Sequence, residues 1–213
     1  MALDLKKLRE ANAQRGIEWA GQANSIDDLP FTTIELGGEV GELTEAVHDW
    51  LLAGIRLPAY ITQAERPKCI IEDLSEGQRA IMQSVLDELA DVVISLDRVA
   101  ESLGIPLQQL STDPEFDFKV EYPDGGLCNL ILRIVTHAGR LQDHIKKVMR
   151  AKKGYRGGIP LDEAKETLQK DCNLLYIGLV RLANIICADM TELVTNKFNA
   201  TSNKHGLKTK LSN

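Results

Sequence analysis

Long apolar runs are missing from this 213-residue chain. No stretch reaches the roughly 20 apolar residues that a membrane-crossing helix needs. The amphipathic start Met1-Ala2-Leu3-Asp4-Leu5-Lys6-Lys7-Leu8 lacks the apolar core of a signal peptide. Cysteine is sparse: Cys69, Cys128, Cys172 and Cys187 stand too far apart for a C-x-x-C metal or redox motif. They are expected to be reduced core residues of a cytoplasmic protein with no membrane partner. The four histidines, His48, His137, His144 and His205, make no metal-ligand spacing with one another. An excess of positive charge is also absent, and the net charge of −6 argues against stable nucleic-acid binding, which relies on a broad basic face. With 44% hydrophobic and 26% charged residues, the chain can bury one sizeable core or two small ones.

Strand signals are few, and apolar positions recur at helical spacing over most of the length. Helices are expected from Leu3 to about Ala20, from about Thr32 to Leu52, from Glu76 to Leu103, from Leu127 to about Arg150, and from Pro160 to about Lys197. Gly54, Pro58 and Pro67 break the stretch from Ala53 to about Ser75, and Gly104-Ile105-Pro106 closes a helix in the usual Gly-then-Pro order. Pro114, Pro123, Asp124 and two glycines mark residues 113–126 as a linker. The expectation is an all-α helical bundle with a first unit over 1–112 and a second over 127–213.

Two acidic segments dominate what is present. Glu35, Glu39 and Glu42 are four and three residues apart, so their carboxylates line one stripe of a helix; Glu88 and Asp91 do the same on the next. At about 100° per residue, Leu36, Val40, Leu43 and Val47 fall to one side of Glu39, and Val85, Val92, Leu96, Val99 and Leu103 to the same side of Glu88. Each helix thus carries an acidic edge along a buried apolar stripe. Solvated faces of ordinary amphipathic helices account for any single Glu pair, but two pairs in register call for a cation. Oxygen ligands without histidine or thiolate suit Mg²⁺, or Mn²⁺, better than zinc.

The pattern recurs along the chain. An offset of 98 sets Glu39-Val40-Gly41-Glu42-Leu43 on His137-Ala138-Gly139-Arg140-Leu141, and an offset of 83 sets Leu96, Arg98 and Ala100 on Leu179, Arg181 and Ala183. His137 and Arg140 replace Glu39 and Glu42, and Leu174 replaces Asp91, so the second half cannot hold the same metal. It carries instead Lys146, Lys147, Arg150, Lys152, Lys153 and Arg156, ending in a glycine-rich turn suited to phosphate oxygens.

The pattern E-x-x-x-E-x-x-E followed by E-x-x-D resembles the MazG-like all-α nucleoside triphosphate pyrophosphohydrolases. The tail Asn196-Lys197-Phe198-Asn199-Ala200-Thr201-Ser202 is similar to that family's closing K-F-N motif, and Arg15-Gly16-Ile17-Glu18-Trp19 to an early R-x-x-E-W element. Many members have a doubled Glu where this chain has Gly38; Glu35, one turn earlier, is the substitute. The resemblance implies a helical bundle built from two related hairpins, a fused pseudo-dimer, with Mg²⁺ held by Glu39, Glu42, Glu88 and Asp91. Glu35 or Glu42 would orient or deprotonate the attacking water. Lys146, Lys147, Arg156 and Lys197 would bind the phosphates, with Asn199 adding a hydrogen bond and Trp19 stacking on the base, in a site shared between the halves. The implied reaction splits a (deoxy)nucleoside triphosphate into monophosphate and pyrophosphate. Alternatives are a dUTPase, a phosphoribosyl-ATP pyrophosphohydrolase, or a helical nucleotide-binding module without turnover. A homodimer of such fused pairs is a further expectation.

Overall fold

The computed structural model describes residues 3–22, 24–55, 74–107 and 126–212. Most of the breaker-rich stretch after Ala53, nearly all of the linker and Cys69 therefore lie outside the described residues. Those residues form six α-helices and no strand: α1 Leu5–Ala20, α2 Leu29–Leu52, α3 Glu76–Ser102, α4 Gly126–Lys152, α5 Leu161–Ile185 and α6 Met190–Lys204.

Local chemistry sets the helix ends. Asp4 caps α1 by accepting from the Lys6 and Lys7 amides, and Gly21 stops it in the left-handed conformation at φ 77°. α2 starts three residues earlier than its apolar periodicity suggests, because Pro30 fits the first helical turn, where its missing N–H leaves no bond unmade. Ser75 and Gln78 form a capping box at the start of α3.

The single helix expected from Pro160 to Lys197 is two helices. Ile186 ends α5, Cys187 takes a positive φ of 56°, and the Asp189 carboxylate accepts from the Thr191 and Glu192 amides to start α6. The two axes meet at 104°. This bend turns α6 back across α3, which decides what reaches the acidic helices.

α2 and α3 form one antiparallel hairpin and α4 and α5 another; α2 lies along α4, and α3 is flanked by α1, α5 and α6. Gln142 Nε2 donates to the Thr33 carbonyl at 3.2 Å, and Lys152 pairs with Asp27, so α4 runs antiparallel to α2. Leu36, Leu43 and Trp50 of α2, Leu89 and Leu96 of α3, Leu141 of α4, Leu175 of α5 and Phe198 of α6 belong to one buried core shared by both halves. The Trp50 indole N–H donates to the Ile55 carbonyl. Of the cysteines, Cys172 is buried, but Cys128 is exposed and Cys187 half-buried, so the expectation that all are core residues holds only for Cys172 among those described. No single helix among the described residues is long and apolar enough to cross a membrane.

Candidate metal centre

The α2–α3 hairpin brings three of the acids to one place. Glu39, Glu42 and Glu88 each offer a carboxylate oxygen, and these atoms lie within 4.8 Å of one another. Their helices place them there for a packing reason: Leu36, Val40 and Leu43 on α2 and Val85, Leu89 and Val92 on α3 are buried against each other. The residues one step around each wheel are thereby held side by side at the groove's edge. An open hollow continues outward from this point, lined by Glu42, Glu45, Ala46, Asp49, Ser84 and Glu88.

Crowded acids under partial burial hold their protons more tightly. Burial, followed by the charges of Asp91, Glu42, Glu88 and Glu35, lifts the Glu39 carboxyl to about 7. Glu88 is raised for the same leading reason, although Lys197 works against the shift. Asp91 is raised as well, its burial outweighing the hydrogen bond and charge of Lys197. Burial leads each shift, and the neighbouring acids add to it. Oxygen-only donors at this spacing fit a hard divalent cation.

The remaining two acids are partnered. Glu35 is held by Arg98 Nη1 at 2.6 Å, and that bond reaches both of its oxygens. It stands apart from the converging trio and is engaged by the arginine. Asp91 Oδ2 lies 2.7 Å from Lys197 Nζ of α6. Burial works to lower the Lys197 ammonium, but Asp91, with Asp87 and Glu88, lifts it above its ordinary value. Arg15 sits behind this pair with its guanidinium 3.7 Å from the Phe198 ring centroid and its Nη1 donating to the Phe198 carbonyl. Burial, then the charge of Arg98, lowers it to about 10, while Glu35 and Asp91 pull the other way.

The other expected residues are placed less compactly. Lys146 and Lys147 both pair with Asp143, one turn back on α4, and Lys147 does so at 2.7 Å. Their hydrogen bonds, and after them their charges, hold the Asp143 carboxyl well below the usual range. Arg156 is exposed in the turn after α4. This basic end of α4 lies beside the start of α2, where Lys152 meets Asp27, and Glu39 is about 15 Å along α2 from Leu29 at 1.5 Å per residue. The side of α2 that faces α4 carries Thr33 and Gly37, 120–160° around the helix from Glu39 at about 100° per residue. Lys146, Lys147 and Arg156 are thus not gathered to the acids; the C-terminal half reaches them through Lys197 of α6. Asn199 is engaged elsewhere, its carboxamide donating to the Leu211 carbonyl and accepting from the Leu211 amide, which pins the C-terminal tail. Trp19 is 54% exposed, one turn beyond Arg15, with its ring 4.8 Å from that of His205.

Sequence reasoning missed Arg98, Asp143, Asp171 and His144. Asp171 follows Glu88 at the same offset of 83 and is fully buried. Its Oδ2 meets His144 Nδ1 at 2.6 Å and its Oδ1 lies 3.7 Å from Arg140 Nε. Where the first half crowds acids together, the second supplies its own side-chain cation. Compared with known proteins, the chain matches no family model, no curated protein and no solved structure.

Proposed function

We propose that this chain hydrolyses a nucleoside or deoxynucleoside triphosphate to the monophosphate and pyrophosphate, as a Mg²⁺-dependent cytoplasmic enzyme of MazG-like type. One observation carries the reading: the carboxylate oxygens of Glu39, Glu42 and Glu88 converge within 4.8 Å with an ammonium group on the adjoining Asp91. Glu39, Glu42 and Glu88 would hold Mg²⁺, or Mn²⁺, with Asp91 at their margin. Bound there, the ion would polarise a phosphoryl oxygen and make a water acidic enough to attack.

The chain's own groups do the rest. Glu42, the exposed member of the trio, opens onto the hollow with Glu45 and is placed to take the proton of the attacking water. Lys197 is the cation next to the trio, and its position suits the charge that moves onto the departing pyrophosphate. Arg98 fixes Glu35, and Arg15 fixes the turn of α6 that carries Lys197. Trp19, exposed one turn from Arg15, offers a ring face to a base.

Pyrophosphate release from a panel of nucleoside triphosphates with Mg²⁺ tests this. Turnover of at least one substrate is expected, lowered about a hundredfold or more by Glu88→Gln with helix content unchanged. Absence of release from every nucleotide by folded protein would overturn the proposal.

A further inference from the structure

The acidic stripe of the first hairpin has a charge-inverted counterpart on the second. The offset of 98 that sets Glu39 on His137 and Glu42 on Arg140 also sets Glu35 on Arg133 and Ala46 on His144, and the offset of 83 sets Glu88 on Asp171. Arg133, His137, Arg140 and His144 are four, three and four residues apart, so they follow one stripe of α4. From Gly126 to Gln142 α4 carries no acid, and α5 carries none from Cys172 to Ile185. Asp143, the next acid on α4, is taken up by Lys146 and Lys147.

One carboxylate lies beneath this stripe, and it does not use up the positive charge. Asp171 is fully buried. Its Oδ2 is 2.6 Å from His144 Nδ1, but its Oδ1 is 3.7 Å from Arg140 Nε and makes no hydrogen bond. The Arg140 side chain is 52% exposed, which leaves its outer N–H groups to solvent. Arg133 is exposed and has no ion-pair partner among the described residues. Between the two arginines, His137 Nδ1 is shielded from solvent yet makes no hydrogen bond. Burial, then the charge of Arg140, disfavours a proton on His137; Asp171 pulls the other way, and Arg133 is close enough to side with Arg140.

We infer that the α4–α5 hairpin binds an extended phosphate anion, pyrophosphate or the polyphosphate chain of a nucleotide, along Arg133, His137 and Arg140, with buried Asp171 holding His144 and Arg140 in place beneath it. Guanidinium groups take phosphate oxygens two at a time, and the unbonded His137 ring nitrogen gains a partner. The stripe from Arg133 to His144 runs about 16 Å at 1.5 Å per residue, too long for one phosphate and matched to a chain of them. It is separate from the carboxylate trio. Gln142 marks the side of α4 that meets α2, and Arg133, His137 and Arg140 stand roughly 140–180° around the helix from it at about 100° per residue. Binding here does not depend on hydrolysis at the first hairpin.

Isothermal titration calorimetry of inorganic pyrophosphate into the full chain, stripped of metal so that no turnover occurs, tests this. Saturable binding is expected, about tenfold or more tighter than that of orthophosphate. Arg133→Gln and Arg140→Gln should each weaken it about tenfold, whereas Lys197→Ala, which removes the cation beside the carboxylate trio, should leave it unchanged. Should Arg140→Gln unfold the chain, Arg133→Gln, at an exposed position, carries the comparison with an unchanged thermal melt. A nucleoside triphosphate titrated in place of pyrophosphate identifies the source: tighter binding assigns the site to a nucleotide, equal or weaker binding to the free anion. Absence of saturable binding by the folded chain, or binding lost in Lys197→Ala and kept in both arginine variants, overturns the inference. Equal affinity for orthophosphate overturns the extended ligand.

Discussion

Glu39 carries the charge problem of this protein in one side chain. Its carboxyl, raised to about 7 by burial and by four neighbouring acids, binds its proton more tightly folded than unfolded, where the value is 4.5. A folded-state value above the unfolded one contributes stability that is fully present below pH 4.5 and is lost as pH rises through 7. The metal-free chain is therefore expected to melt at progressively lower temperature between pH 5 and 7.5. Glu39→Gln should flatten that dependence, because an amide has no proton to lose. Millimolar Mg²⁺ should raise the wild-type melting temperature most at the upper end of the range and leave Glu39→Gln nearly unmoved. A melting temperature that is independent of pH in the wild type, or a variant as responsive to Mg²⁺ as its parent, contradicts this account of the trio. The acids were legible in the sequence because their spacing matches a helix turn. Their partners were not: the Arg98 that holds Glu35 lies 63 residues away, and only the antiparallel register of α2 and α3 joins them. Asp143 was legible in principle, since it stands three and four residues before Lys146 and Lys147, the spacing at which helical ion pairs form.

At the scale of the helices, start and stop residues carried most of the information. Ser75 and Gly104 mark ends that the structure keeps, whereas Asp4 and Pro30 set starts that apolar periodicity placed at Leu3 and Thr32. The α5–α6 bend was hidden because Ile185, Ile186 and Leu193 continue the apolar periodicity across it, and only the capping residue Asp189 marks the break. Adjacent glycines on α2 show how far an element's tolerance depends on its neighbour. At Gly37 a Cβ would lie 2.3 Å from Gln142 Nε2, whereas at Gly38 it would meet nothing within 4 Å. Gly38→Ala is expected to raise stability by about 0.5–1 kcal/mol through helix propensity alone. Gly37→Ala gains the same propensity but displaces the Gln142 amide from the Thr33 carbonyl, a hydrogen bond of about 1 kcal/mol, so its net change should be close to zero. Chemical denaturation separates the two, and equal stabilisation by both substitutions would show that Gln142 does not hold α4 to α2.

Across the whole molecule, the repeat in the sequence and the unit of folding are different things. α3 belongs to the first hairpin by chain order, yet Val92, Val93, Ile94, Ser95, Leu96 and Asp97 are buried in succession. Six consecutive buried positions cover the full turn of a helix, so α3 is enclosed on every side over residues 92–97. α2 encloses it from its own hairpin, α1 joins through the Asp97 carboxylate, which accepts from Arg9 Nε and Asn12 Nδ2 at 2.9 Å each, and α5 and α6 complete the wall. Removing the C-terminal half would expose Val93, Ile94 and neighbouring side chains, each contributing about 1.5–3 kcal/mol when buried. That loss rivals the 5–15 kcal/mol that holds an ordinary domain folded. A fragment of residues 1–112 is therefore expected to lack a cooperative thermal transition by circular dichroism, as is one of residues 126–213. Mixing the two should restore helix content and a single transition, since the buried faces of α3, α5 and α6 are complementary without the connecting chain. Independent cooperative melting of either fragment would mean that the repeat is also a folding unit, and that the Asp91–Lys197 contact joins two separable domains rather than two sides of one core.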